Sequence, residues 1–493
     1  VPALLRLHPW LLPALAGLLL RVVATFTGHG VWASDDYFHA LEPAWRWLEQ
    51  PDAPLPTDFR SSFLPRILWL FFLLGEALGI PEPVPRIQWV YGLLGLWSVS
   101  AIPAAWLLVA PRLGNPAALG AAWLVATHAL LPRISTRALG EAVCAPLILW
   151  TLVLVEWARR SPARTALGWA FLSGLCAGVA AMLRFQAGVV FAVVFLLVWV
   201  RPLPADHPGP RPGVPALVGG LFLGGLVAMV GQGLLDLAEH GEFLASPVRY
   251  VAFNVERSAS YGVEPWHLFL GMFLGLSLPP ATVALAAPVW RGVKAMPLPA
   301  AVFVAFVATH SAVGHKEDRF MFPLVPLFCV FVGPALVDLA ARRPWQRASA
   351  LYFWAVNAAL LAVMVVSDGK RNVTTPLLEA AAMQPRPVVV GLGGVQLLPY
   401  YLGRGGVVKT LDSVEEAVVF LEGQATPAAR LCMDRAPRPY ELDRLRSAGW
   451  TCGAPSWSAG DVVDRTAVWL NPSHNTRRAP VAVVDCRRPL SPP

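Results

Sequence analysis

From residue 11 to residue 367 the chain is a succession of apolar runs, each close to the length needed to cross a lipid bilayer. A hydrocarbon core about 30 Å thick takes about 20 helical residues, and only helices or closed barrels carry a backbone through it with every polar group satisfied. The candidate spans are 11–28, 63–80, 86–109, 116–131, 138–157, 166–182, 186–200, 214–235, 266–290, 298–313, 320–340 and 348–367. This pattern excludes the string of soluble domains that 493 residues would otherwise suggest. Composition agrees: charged residues make up 14% and apolar residues 56%, where a soluble chain carries about 25% charged residues. The net charge of +8 does not indicate nucleic acid, because the basic residues stand singly or in short clusters between apolar runs, as cationic loop ends do. Lysine is scarce: only Lys294, Lys316, Lys370 and Lys409 occur.

Orientation follows from where Arg and Lys are retained. Arg159, Arg160 and Arg164 mark one cytoplasmic loop, Arg201 and Arg211 the next, Arg291 with Lys294 a third, and Arg342, Arg343 and Arg347 a fourth. The loops between them, and everything after 368, then lie outside. With Arg6 inside, one run before 131 cannot be a full crossing; 63–80, which opens on Pro65-Arg66 and carries Glu76, is expected at the interface or re-entrant. About eleven crossings result, N-terminus in and C-terminus out. The first run lacks a small-residue cleavage site and reads as a retained anchor.

The composition changes after Ser367. Segments 387–394, 430–434, 466–470 and 480–486 read as short strands, and 413–422 and 440–448 have helical spacing, giving a small α/β domain. The Gly391, Gly393 and Gly394 cluster lacks the spacing of a nucleotide loop and reads as a strand-to-turn element. Cys144, Cys176 and Cys329 lie in apolar runs; Cys432, Cys452 and Cys486 lie in the tail, where an outside location allows one disulfide, of unspecified pairing. No Cys/His spacing indicates a metal.

Ionisable residues beside membrane spans are costly and mark functional sites. Asp35 and Asp36 open an amphipathic helix carrying Phe38, Leu41, Trp45 and Leu48; alone they read as caps, and beside a membrane they also suit general-base work on a sugar hydroxyl. Arg60 precedes an apolar run, as a snorkelling anchor does. Arg137 and Glu141 form an i,i+4 pair, and Arg184 marks a turn between two spans. Tyr261, Trp266 and His267 sit in a Gly/Pro turn at headgroup depth. The segment His315-Lys316-Glu317-Asp318-Arg319 is the most informative, because five consecutive ionisable side chains between two apolar spans, three of them able to carry positive charge, suit a lipid phosphate.

The order of Asp35-Asp36-Tyr37-Phe38-x-x-Leu41-Glu42, Arg60-Ser61-x-x-x-Pro65, Thr136-Arg137-x-x-x-Glu141, Tyr261-Gly262-x-x-Pro265-Trp266-His267 and His315-Lys316-Glu317-x-Arg319-Phe320-x-x-Pro323 resembles glycosyltransferase family 22 over residues 10–367. Those enzymes are polyprenyl-phosphate-mannose-dependent α-mannosyltransferases of N-glycan and glycosylphosphatidylinositol assembly, with the GT-C membrane fold. The chain departs from the family in having Asp36 where Glu is usual, His39 where Gln is frequent, and an Arg137–Glu141 element one residue shorter.

The resemblance implies a polytopic α-helical membrane protein of GT-C fold at 1–367, with about eleven transmembrane helices, and an extracytoplasmic α/β domain at 368–493. It implies an inverting hexosyl transfer, with mannose the sugar, on the outer face of a bacterial cell membrane. The donor is a polyprenyl-phosphate sugar and the acceptor a glycan or glycolipid; membrane lipid is a partner and nucleic acid is not. Asp35 would deprotonate the acceptor, with Asp36 orienting it or sharing that role. His315, Lys316 and Arg319 would hold the departing phosphate, assisted by Arg137 and Arg184. Glu42, Arg60, Glu141, Tyr261, Trp266, His267 and Glu317 are assigned to substrate binding. A lipid monophosphate needs less neutralisation than a diphosphate, so no metal or other cofactor is expected. A lipid-linked sugar flippase and a non-catalytic lipid-sugar-binding scaffold are the competing readings; transporters, however, place their sites near the midplane, often between internal repeats, and no repeat is visible.

Overall fold

Inside a bilayer each backbone N–H and C=O needs an internal partner, so successive apolar runs settle into helices. The computed structural model describes residues 8–55, 57, 59–200, 213–472 and 475–488, with the side chains of 258 and 261 outside that set. The chain divides into two compact units: Val1–Ala24, Pro54–Ile67 and Tyr91–Val365 in the first, and Thr25–Ala53, Leu68–Val90 and Val366–Pro493 in the second.

Among the described residues six helices are long and apolar enough to cross a membrane: Val84–Thr127, Gly140–Arg160, Ala163–Leu183, Val214–His240, Asp318–Ala340 and Pro344–Val365. Leu268–Leu276 and Ala281–Ala295 form a pair bent by 100°. The bend follows from sequence: Pro279 and Pro280 supply no amide donor, and Leu278 before them adopts a left-handed φ of 55°. The remaining runs form shorter helices, among them Leu11–Thr27, Phe185–Val200 and Pro297–Ser311. The apolar runs are thus distributed between six or seven full-length helices and several short ones. Phe63–Ala77 has 15 residues, about 22 Å at the helical rise, less than a hydrocarbon core.

The gap expected between runs 86–109 and 116–131 is a kink rather than a loop. Gly114 has φ 79°, a conformation that L side chains rarely adopt, between Pro111 and Pro116 in the helix Ala101–Thr127. Small residues set the tightest helix contact of the first unit. A Cβ on Gly174 would lie 2.1 Å from the Leu221 carbonyl oxygen, and one on Gly224 would lie 2.0 Å from that of Phe171. Ala163–Leu183 and Val214–His240 therefore approach backbone to backbone, as small residues allow in membranes.

In the second unit the tail builds one mixed sheet from β1 (Val388–Leu392), β2 (Val408–Leu411), β3 (Ala428–Met433), β4 (Thr451–Cys452), β5 (Ser456–Ser458) and β6 (Val481–Arg487). The order is β2-β1-β3-β6-β4, with β5 also on β6. β1 pairs parallel with β2 and β3, and β6 runs antiparallel to β3, β4 and β5. The helices Val414–Glu422 and Pro439–Ser447 cover it through Val418, Leu421 and Leu445, packed on Val390, Leu431 and Val484.

One strand expectation is corrected. Residues 466–470 belong to the helix Val462–Leu470, because Asp461 caps it by accepting from the Asp464 amide at 2.9 Å. The disulfide that the sequence left unassigned joins Cys452 to Cys486 across the β4–β6 edge, and Cys432 is a buried free thiol.

Candidate active site

In the first unit three basic residues meet at one aromatic ring, Phe320. The guanidinium of Arg184 lies 5.1 Å, and that of Arg319 5.7 Å, from the centroid of Phe320. The His315 ring meets Phe320 edge-on at 5.8 Å. A guanidinium near an aromatic ring is attracted by the ring's quadrupole. Two acids complete the group: Glu141 receives Arg184 at 3.2 Å, and Glu317 receives Arg319 through Nε at 2.6 Å and Nη2 at 2.9 Å. His315 Nε2 stands 3.1 Å from the same Glu317 carboxylate. Arg319 and Glu141 are buried, while His315 and Glu317 are half-buried. Arg137 is fully buried, with its guanidinium 4.1 Å from the Tyr91 ring centroid and Nη2 donating to the Ala24 carbonyl at 3.2 Å.

Lys316 has a different place from its neighbours. It is buried, and its ammonium donates to the carbonyls of Glu264 at 2.9 Å, Val313 at 2.6 Å and Gly314 at 3.4 Å. The Glu264 amide returns a bond to Gly314 at 3.0 Å. Lys316 therefore ties the 310–319 loop to the 258–267 loop. On the latter, Trp266 and His267 are exposed and meet each other at 5.6 Å. Tyr261 ends the 3-10 turn Ser258–Tyr261, and its side chain lies outside the described set. Arg60 is half-buried, its guanidinium 6.0 Å from the Phe59 ring, which stacks on Phe253 at 4.2 Å.

Asp35, Asp36 and Glu42 belong to the second unit. Asp36 is buried, and its carboxylate accepts from the amides of Trp32 at 2.9 Å and Ala33 at 3.1 Å, capping the turn Ser34–Asp36. Asp35 is half-buried at the surface of that turn. A π-helical turn, Tyr37–Leu41, follows at once; such turns recur at functional sites. Burial raises the Glu42 pKa, opposed by Arg46. The tail grips this acidic segment: Tyr400 N donates to Tyr37 Oη at 2.8 Å, Tyr401 Oη to the His29 carbonyl at 2.7 Å, and Arg478 Nη2 to the Trp32 carbonyl at 3.0 Å.

Residues 13–384 match the Alg9-like mannosyltransferase family. The chain belongs to that family. Relatives within it include GPI mannosyltransferase 3 of Gibberella zeae, 23% identical over 66% of this chain and 60% of that protein. The Debaryomyces hansenii enzyme of the same name is 23% identical over 71% and 62%, and that of Trypanosoma brucei brucei 28% over 36% and 32%. The chain thus matches less than two thirds of the length of these relatives. Among solved structures, ArnT from Cupriavidus metallidurans in the apo state covers 96% of this chain and 97% of its own length at TM-score 0.62 and 13% identity. The same protein bound to undecaprenyl phosphate gives TM-score 0.59. Mycobacterial arabinofuranosyltransferase AftD covers 98% of this chain, over 40% of its own, at TM-score 0.53 and 16% identity. The likeness is one of fold, GT-C-like, in a multi-pass membrane protein.

Two features of the site escape a reading of the sequence. Phe320 stands inside the His-Lys-Glu-x-Arg-Phe motif, yet nothing in its spacing shows that Arg184, far away in the chain, shares its ring. The grip of Tyr400, Tyr401 and Arg478 on residues 29–37 spans more than 350 positions and leaves no local signal.

Proposed function

We propose that this protein transfers a hexose, mannose by its family, from a polyprenyl-phosphate donor to a hydroxyl of a glycan or glycolipid acceptor, inverting the anomeric carbon. Asp35 takes the acceptor proton, the acceptor oxygen bonds to the anomeric carbon, and the bond from that carbon to the phosphate oxygen breaks. The departing lipid phosphate gains negative charge, which Arg319, Arg184 and His315 take up through charge-assisted hydrogen bonds. Glu317 and Glu141 keep those cations aimed before the donor arrives, a preorganised electrostatic arrangement. Arg137 stiffens the wall behind, and Lys316 sets the loop that presents His315 and Arg319. Glu42, Arg60, Tyr261, Trp266 and His267 contact substrate.

The observation that carries this reading is the convergence of Arg184, Arg319 and His315 on Phe320, in a chain of this family. A GT-C-like neighbour bound to undecaprenyl phosphate supports a polyprenyl phosphate as the lipid. The Cys452–Cys486 disulfide supports an extracytoplasmic tail, since disulfides persist in oxidising compartments. The cationic loops at Arg159–Arg160 and Arg342–Arg343 support the matching orientation.

The test is transfer of radiolabel from synthetic polyprenyl-phosphate-mannose to glycan or glycolipid in membranes containing the protein. Label appearing only with the intact protein, and not with Asp35→Asn, is the expected result. Donor translocation without transfer makes the protein a flippase and removes the proposal.

A further inference from the structure

The second unit contains a cavity of about 440 Å³ that none of the roles above uses. Its size falls within the range of small-ligand sites, about 300–1,000 Å³. Its polar lining includes Ser34, Lys370, Asn372, Gln396 and Asp434, with Thr476 and Arg477 on the exposed side. Ser34, one of the lining residues, directly precedes in the chain the Asp35 proposed as the base.

The polar groups are arranged by depth. Asp434 and Arg477 are exposed at the rim, while Ser34, Lys370 and Asn372 are buried. Asn372 spends its amide donors on the carbonyls of Ala479 at 2.7 Å and Arg477 at 3.3 Å. Its Oδ1, and Oε1 of Gln396, are buried and accept no hydrogen bond among the described residues. A buried acceptor without a donor is costly, so both suit donors from a ligand. Lys370 holds a left-handed φ of 60°, which L side chains rarely adopt. Its amide is fixed on Asp464 at 2.8 Å and its ammonium on the Arg477 carbonyl at 3.1 Å. The walls between are apolar, from Val31, Val395 and Val481.

This chemistry selects among ligands. A phosphate offers only acceptors; it would suit Lys370 and Arg477 but leave Asn372 and Gln396 unsatisfied and face Asp434. A sugar ring offers hydroxyls that both donate and accept, and a C–H face for the apolar wall. We propose that this cavity is a saccharide subsite that holds an uncharged sugar of the acceptor beside Asp35. Its acceptor role rests on the transferase reading; its binding of sugar does not.

The experiment uses the full chain in detergent, with α-linked mannobiose, N-acetylglucosamine and inorganic phosphate as probes, read by saturation-transfer NMR and titration. Wild type should bind a sugar probe with a Kd of about 1 mM. Thr476→Trp, which fills the exposed rim, should weaken it at least about tenfold; Asp434→Asn, also at the rim and conservative in shape, should weaken it by about tenfold, the loss of one charged hydrogen bond. Thermal unfolding of both variants should match wild type, and if Thr476→Trp does not fold, Asp434→Asn alone decides. Equal sugar binding in wild type and Asp434→Asn overturns the subsite, as does binding of phosphate but no sugar, or of neither. Sugar binding lost in the variants while wild type transfers nothing from any lipid-phosphate donor removes the transferase reading and leaves the subsite. Transfer with an unchanged acceptor KM in the variants removes the subsite and leaves the transferase.

Discussion

Glu317 holds Arg319 with two hydrogen bonds, at 2.6 Å and 2.9 Å, so a donor phosphate meets a guanidinium already fixed by a carboxylate two residues away in the chain. Arg319→Ala should lower kcat/KM for the donor by at least about tenfold, the value of a charged hydrogen bond. Arg319→Lys should recover little, since an ammonium replaces neither the fork on Glu317 nor the stack on Phe320. Initial rates at varied donor concentration decide; wild-type kinetics in Arg319→Ala would remove this residue from the donor site.

Lys316 acts through loop structure. Lys316→Ala leaves three carbonyls without their shared donor and should both weaken donor use about tenfold or more and lower stability by about 1.5–3 kcal/mol. Lys316→Arg should not rescue, because a planar fork cannot converge on three carbonyls as an ammonium does. A stability unchanged by Lys316→Ala would contradict the tie between the loops.

The disulfide closes a loop of 34 residues, for which chain entropy gives about 3–4 kcal/mol. Reduction, or Cys452→Ser with Cys486→Ser, should lower the unfolding temperature of the tail. Cys432 should stay unlabelled until unfolding, since burial pushes its thiol up to about 12. In intact spheroplasts, an impermeant maleimide should reach the half-buried Cys452 after reduction; no reaction there would reverse the proposed orientation.

Lys370 gives a pH signature. Burial, with Arg478 and Arg477 nearby and Asp464 and Asp36 opposing, brings its pKa down to about 7 from 10.5. Between those values the unfolded chain binds a proton that the folded one lacks, so the penalty of burying the charge is complete below about pH 7 and fades as pH rises. Unfolding temperature relative to Lys370→Met should therefore increase from pH 7 toward 10. A flat difference would show that the lysine titrates normally.

The helical, membrane-spanning character was legible because apolar runs are a local signal, as was the cation loop at 315–319. The disposition of the runs was less so. Pro279-Pro280 looked tolerable within a span, yet splits it, and Gly114 turned an expected loop into a kink. In the tail, β-branched and aromatic residues at 466–470 suggested a strand; the cap at Asp461 decided for helix. Edge strand β2 at 408–411, largely exposed, lacks the apolar pattern that marks buried strands. The acidic pair was legible as a pair, but the bonds that Asp36 makes were not. Asp36 is committed to the amides of Trp32 and Ala33, which only the folded turn reveals.

The proposed role of Asp35 as base makes the Asp35→Asn variant the most direct test. Asn keeps the shape and caps a turn about as well as Asp, so fold and donor binding should persist while single-turnover transfer at saturating donor falls by about 10²–10⁴-fold, the range for general-base catalysis. Asp36 accepts with both carboxylate oxygens and Asn offers only one, so Asp36→Asn should lower thermal stability in detergent, with a smaller loss of turnover. Near-normal single-turnover transfer by a stably folded Asp35→Asn protein would contradict the account.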